Sequence, residues 1–484
     1  MDKTVSRRGF VGMAASAGAA GLAVSIPVVR VAAADEGAAA EGSTPAEREA
    51  AAAKAEMRRM DYIRFCTDLS TDELDAMLDD EPEVTEDYVT PNGKVIPAVY
   101  VRLRNRMNRI HIGIGSAVTG DDHWDVYTNH LTEDEALAML QMPCNRFFSP
   151  QEMATRCDRS EEECREICER LALRGWMFCF RRAGVPYFLQ MTQVPGWWEG
   201  VQMDYLMNQG DEEKAVEWIE ATEGSMGADS INIMKMFRSF MHIQPPSRDL
   251  VDGELHDYTD WEKTFDQHER FAIMPCKCRQ KWDALGVRAE KCSDPDAHPL
   301  ETCLSIGEAA DYFIECGVAR ELTRDEAKDA VRSNIEHGYI IESTITKAGG
   351  AFCACHSDCC SLLGKYRMVY DNLGYTPSTM PFISDYNLSY DKDACIQCGA
   401  CVERCPMRSI TVDDEGYCVM DDICVRCGQC AYVCPAEARK LVPKPIYELF
   451  EYPRDRADDF LTSARGRMAL GHIVDFEGDL SIFE

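Results

Sequence analysis

The sequence contains no C-x-x-C-H, so it has no attachment site for a c-type haem. It has no G-x-S-x-G elbow and no H-E-x-x-H pair, which removes the common serine hydrolase and zinc protease readings. The glycine-rich stretch Gly113–Gly120 lacks the P-loop lysine and the G-x-G-x-x-G spacing, so it is not a nucleotide cradle. Its 10 histidines are scattered without pairing. Basic residues are scarce, 51 against 83 acidic ones, for a formal charge of −32. A surface this acidic repels phosphate backbones and anionic headgroups, which argues against nucleic acid and against peripheral membrane binding.

What the chain has in excess is cysteine, 24 in 484 residues. A chain of this length has room for about two to four domains and can bury a proper core without disulfide staples. Its cysteines therefore read as ligands first. Residues 1–34 read as a twin-arginine export signal. Arg7 and Arg8 are followed by Phe10, a weakly apolar stretch and the small residues Ala32–Ala34, with cleavage expected after Ala34. The competing reading is an uncleaved anchor, since Phe10–Val29 runs without a charge for long enough to span a bilayer. The membrane enters only through that segment. Export in the folded state suits a protein whose metal centres are built in the cytosol and used in the periplasm or another extracytoplasmic space.

The fold class expected is α+β with several domains. Residues 35–125 read as a linker and N-terminal cap, with a helix around 61–80. In 126–200, Thr132 with Glu135, Ser149 with Glu152 and Ser160 with Glu163 predict three capped helices. A hairpin is expected around Gly184, which completes a winged helix. Its third helix carries five glutamates between 161 and 169, so partner docking is favoured over DNA. Residues 201–270 read as a helical connector, 271–366 as a helical cysteine-rich module, 388–445 as a ferredoxin fold and 446–484 as an acidic tail.

The most specific motif is duplicated. Cys395–Pro406 and Cys424–Pro435 each read C-x-x-C-x-x-C-x-x-x-C-P. The first three cysteines of a copy wrap one cluster while the fourth ligates the other. Cys395, Cys398, Cys401 and Cys434 are thus assigned to one 4Fe–4S cluster, and Cys424, Cys427, Cys430 and Cys405 to a second. Zinc ribbons lack the third cysteine and the C-P ending. The stretch resembles bacterial two-cluster ferredoxins.

A second set comprises Cys276, Cys278, Cys292, Cys303, Cys353, Cys355, Cys359 and Cys360. Four thiolates suffice for one cubane. A third 4Fe–4S centre is expected here, with zinc or a disulfide as alternatives. Spacing leaves the ligand set open, with Cys276 or Cys278 favoured to join ligands from Cys353–Cys360. The order of motifs carries a wider resemblance. The winged helix, P-C-x-C-R, Pro299–Phe313, Glu321–Val331, Glu336–Ile340, the cysteine knot and the paired clusters follow one another over Leu131–Val442. This is similar to winged-helix-containing 4Fe–4S ferredoxin-like proteins of anaerobic bacteria. The resemblance implies an electron carrier or reductase-associated subunit. The knot of those proteins is denser; here Ala354, His356 and Asp358 stand at its Asn and two of its Cys positions, and His356 is a weaker candidate ligand.

The sequence thus reads as an exported electron-transfer protein serving a protein redox partner, either a reductase or a membrane electron-transfer complex. A reductive dehalogenase-like reductase also combines this signal with two cubanes, but no corrinoid motif is present. A redox-sensing, partner-binding protein is the other alternative. Replacing Arg7 and Arg8 by lysine is expected to trap the precursor inside the cell, as fractionation and immunoblotting would show; undiminished export would contradict the folded-export reading.

Overall fold

The computed structural model describes residues 84–109, 124–143, 146–191, 196–222, 241–292, 298–344, 346, 350–373, 384–444, 453–454 and 458–459. The signal segment, the helix expected around 61–80, Gly113–Gly120 and nearly all of the acidic tail lie outside them.

The first described elements are a short antiparallel ribbon, β1 (Tyr88–Val89) with β2 (Val95–Ile96), and a helix over Ala98–Arg109. Ile96, Leu103 and Met107 of this part are buried, and Arg106 donates to the Met142 carbonyl at 2.9 Å. Helices then span Glu133–Gln141, Pro150–Ala154 and Glu161–Leu173. Thr132 and Ser160 each make a reciprocal capping box, with Glu135 and Glu163. Ser149 accepts from the Glu152 amide, but the Glu152 carboxylate pairs with Arg146 instead of returning the bond. The third helix buries Cys164, Ile167, Cys168, Leu171 and Ala172, a stripe at helical spacing, and turns its glutamates outward. Strands β3 (Met177–Arg182) and β4 (Val185–Gln190) follow as a hairpin. Its two-residue turn puts Ala183 and Gly184 at φ 50° and 79°, the left-handed pair that matches strand twist.

The middle of the chain is a six-stranded antiparallel sheet. Its strands are β5 (Met241–Gln244), β6 (Phe271–Pro275), β7 (Glu301–Ile306), β8 (Arg320–Leu322), β9 (Ile340–Thr344) and β10 (Ala351–Cys355). They lie in the order β5-β9-β10-β7-β6-β8. This corrects two expectations. The span 271–366 is not a helical module, because its helices Glu308–Glu315 and Arg324–Glu336 pack around a sheet. Nor is 201–270 simply a helical connector, since β5 within it pairs with β9. The helix pattern hid β5 because half of its residues are polar and all are buried: Gln244 donates to Ser343 Oγ at 2.8 Å, and His242 meets Asp385 at 2.9 Å.

One face of the sheet holds an apolar core of Phe271, Ile273, Leu304, Ile306, Ile341 and Phe352, covered by Phe265 and by Val331 and Ile335. Side chains alternate along a strand, so Cys303, Glu342, Cys353 and Cys355 face the opposite side. The last module pairs β11 (Tyr386–Tyr390) with a closing strand over Arg439–Pro443, around a ribbon of β12 (Ile410–Val412) and β13 (Cys418–Met420); the closing strand is β14.

The hairpin does not stand free. Arg181 pairs with Glu315 at 2.6 Å and Arg182 with Glu308 at 2.9 Å, on the helix that follows β7. Tyr312 of that helix donates to the carbonyls of Ala172 and Met177, each at 3.0 Å. Tyr312→Phe removes that buried hydroxyl and the bonds it makes to both carbonyls. Stability is expected to fall by about 1–3 kcal/mol, read as a lower denaturant midpoint; an unchanged midpoint would mean this contact does not hold the two parts together.

Candidate iron–sulfur and metal centres

The ferredoxin repeats fold as near copies. In each, the residue just before the second cysteine takes a left-handed backbone, Gln397 at φ 57° and Arg426 at 58°. The glycine after the second cysteine does the same, Gly399 at 76° and Gly428 at 80°. Arg408 and Glu437, after each C-P, also have positive φ. Five such non-glycine residues occur among those described, and four of them are these. Strained backbone of this kind persists where surroundings over-determine it. Here it aims amides at sulfur. Gln397 N–H donates to Cys395 Sγ and Arg426 N–H to Cys424 Sγ, each at 3.4 Å. Ser409 N–H reaches Cys405 Sγ and Ala438 N–H reaches Cys434 Sγ, each at 3.3 Å. Such donors favour the thiolate over the thiol, which fits cluster ligation.

One cavity is lined by Cys405, Cys424, Cys427 and Cys430 together with Val425, Met407 and Ile410. The cysteine that precedes Pro406 therefore faces the first three of the other copy. At the other end Cys395 contacts Tyr390, whose ring carries Arg439 at 4.2 Å, and Cys401 neighbours Cys418. Cys398 is exposed.

Six of the eight other candidates close into a ring. Cys276 neighbours Cys278, Cys278 neighbours Cys360, and Cys360 neighbours Cys355. Cys355 then neighbours Cys353, which neighbours Cys303, which returns to Cys276. Cys303 is supplied by β7, and Cys353 and Cys355 by β10. Cys276 and Cys278 come from the start of the helix after β6, and Cys360 from the turn after β10. Cys292 and Cys359 are not in the ring; they neighbour one another beside Arg279. The Cys276 thiol, reinforced by burial, pushes Cys278 up to about 11. Contact with Cys278, then burial, pushes Cys360 up to about 12. Among the ring thiols Cys353 alone is lowered, by its contacts with Cys303 and Cys355; a bound metal would deprotonate its thiol ligands outright.

The residues around the ring supply the matching charge. Lys277, Arg279 and Lys281 are all buried, at two-residue spacing on one short helix. Lys277 Nζ sits 3.6 Å from the Trp198 ring centre and Lys281 Nζ 3.7 Å from that of Trp282. Among the described residues Arg279 meets the carbonyls of Pro299 and Ala354, Thr302 Oγ1 and Cys359 Sγ, and no carboxylate. Burial alone would lower its pKa; the charges of Cys276 and Cys359 outweigh this and hold it raised. A buried cation needs a counter-charge, and metal-bound thiolates would provide it. Burial pushes the Glu342 carboxyl up to about 8, so it is largely protonated at neutral pH. The sequence reading missed these cations and Glu342, although Lys277, Arg279 and Lys281 stand in plain view around the P-C-x-C-R step.

The ring and the repeats touch. Ser357 donates to the Pro406 carbonyl through its amide at 3.1 Å and its hydroxyl at 2.6 Å. Gln429 donates to Tyr339 O at 2.7 Å and Arg404 to Ile335 O at 2.5 Å. Of the remaining described cysteines, Cys418 neighbours Cys401. Cys157 and Cys164 sulfurs are 3.7 Å apart, and Cys168 contacts Met153 Sδ.

Residues 394–438 match the 4Fe-4S dicluster domain, a small part of the chain. No curated protein and no solved structure matches the chain. The match supports an iron–sulfur electron-transfer role for the C-terminal module.

Ligand crossing has a direct consequence. Cys405→Ser with Cys427→Ser is expected to spare one cluster, leaving about four irons in the C-terminal module, while Cys405→Ser with Cys398→Ser damages both. Iron and sulfide analysis of the two proteins decides it, and the reverse pattern would sink the assignment.

Proposed function

We propose that this chain is an exported iron–sulfur electron-transfer protein with two ferredoxin-type 4Fe–4S clusters and a third 4Fe–4S centre held by the ring of Cys276, Cys278, Cys303, Cys353, Cys355 and Cys360. Each cluster carries one electron at a time. The observation that carries the relay is the double hydrogen bond from Ser357 to the Pro406 carbonyl. Pro406 follows Cys405 directly, and Ser357 lies between the ring residues Cys355 and Cys360. A path of two short segments and one hydrogen bond therefore links the two thiol sets.

The chain's own groups tune each end. Amides at the repeats and the buried Arg279 at the ring stabilise negative charge on sulfur, which favours the reduced state. Electron exchange with a partner takes place where Cys398 reaches the surface, beside Ile396, which is 63% exposed. Val412 and Val419 add exposed apolar area in the same module. The acidic surface steers a basic partner protein toward this module and repels nucleic acid. The three helices and hairpin, read from sequence as a winged helix, act as scaffold, since Arg181 and Arg182 are paired with Glu315 and Glu308.

The intact chain is the right material, because residues 271–366 alone would lack β5. Anaerobic reconstitution is expected to give about twelve irons per chain, falling to about eight in Cys355→Ala with Cys360→Ala, where the ferredoxin clusters persist. A wild-type chain that holds only about eight irons, with free thiols in the ring, would remove the third centre.

A further inference from the structure

Outside the ring lies a second donor set of different chemistry. His298, His356 and Asp358 each offer a ligand atom, and these atoms all lie within 4.8 Å of one another. His298 Nε2 is 3.4 Å from Asp358 Oδ2, and His356 Nδ1 is 2.7 Å from Asp358 Oδ1. The His298 ring is buried, and its Nε2 makes no hydrogen bond. Its other nitrogen is placed: Nδ1 lies 2.7 Å from Tyr339 Oη. In the tautomer whose Nδ1–H donates to Tyr339 Oη, the one a metal-bound histidine adopts, Nε2 presents its lone pair to the Asp358 carboxylate. In that tautomer a cation bound between the two groups offsets the repulsion of their lone pairs. A metal-bound histidine is oriented by just this kind of bond from its other nitrogen.

We propose that His298 Nε2, His356 Nδ1 and the Asp358 carboxylate bind one divalent transition-metal ion, separate from the iron–sulfur centres. Two imidazoles and a carboxylate suit zinc, iron(II), cobalt(II) or nickel(II). Ligand atoms at about 2.0–2.2 Å from an ion lie within the spread seen here after small side-chain shifts. Three protein donors leave a position for water. Asp358 also lies 3.8 Å from Arg408 Nη2 of the first ferredoxin repeat, and Asp358 is one residue from Ser357. The ion therefore sits at the seam between the ring and the repeats, and binds the loop after β10 to the segment before β7.

The test uses the full chain with its iron–sulfur centres assembled, washed with a weak chelator and dialysed anaerobically against cobalt(II). About one cobalt per chain is expected, with the weak visible bands of nitrogen and oxygen ligation. His298→Ala and the near-isosteric Asp358→Asn should each weaken its retention on the order of 100-fold without changing the iron count. Should His298→Ala also lose iron through misfolding, Asp358→Asn decides alone. The proposal is overturned by any of three results: no cobalt retained by the wild type, equal retention by Asp358→Asn, or intense thiolate-to-cobalt absorption, which would place the ion on cysteine.

Discussion

Negative charge on buried sulfur is the constraint around which the rest is arranged. Five of the six ring thiols are pushed up and Cys353 is held down, while Arg279 cannot stay buried without anions. In the proposed third centre, metal-bound thiolates satisfy both demands at once. The same balance appears in smaller form at the repeats, where backbone amides turned by positive φ donate to Cys395, Cys405, Cys424 and Cys434. The two regions reach one end by different means: local backbone geometry in the repeats, and buried side-chain cations around the ring.

The architecture serves that constraint. An antiparallel sheet gives two faces, and the apolar face carries the folding core while the other collects Cys303, Cys353 and Cys355. The helix Lys277–Ala284 brings its buried cations near Cys276 and Cys278, and Trp198 and Trp282 cover two of them. The N-terminal helices and hairpin close the assembly through Tyr312 and two arginine–glutamate pairs. The Ser357–Pro406 bonds then fix the loop after β10 on the ferredoxin module.

What the sequence disclosed was what short-range rules control. Capping boxes at Thr132 and Ser160 are spelled out within four residues and are made, while at Ser149 the cap forms but the Glu152 carboxylate goes to Arg146. The C-P repeats carry their ligand spacing within a dozen positions. The ring was recognised as a group of thiols but not as a ring, because strand pairing between residues nearly 50 apart places Cys303 near Cys353. The sheet itself was hidden: its strands are three to six residues long and sit between helices with stronger periodicity. β5 was obscured further by buried His242 and Gln244, whose partners are distant in sequence. His298 gave no signal at all, since only folding brings it to His356 and Asp358.

The central claim is that the ring holds a redox centre coupled to the ferredoxin module. Paramagnetic resonance of the fully reduced protein, with Cys398→Ser and Cys427→Ser together removing both ferredoxin clusters, tests it most directly. The account predicts a surviving cubane signal from the ring, narrow on its own and broadened by spin coupling in the wild type. A doubly substituted protein with no signal, from a folded chain whose ring thiols titrate as free, would contradict it.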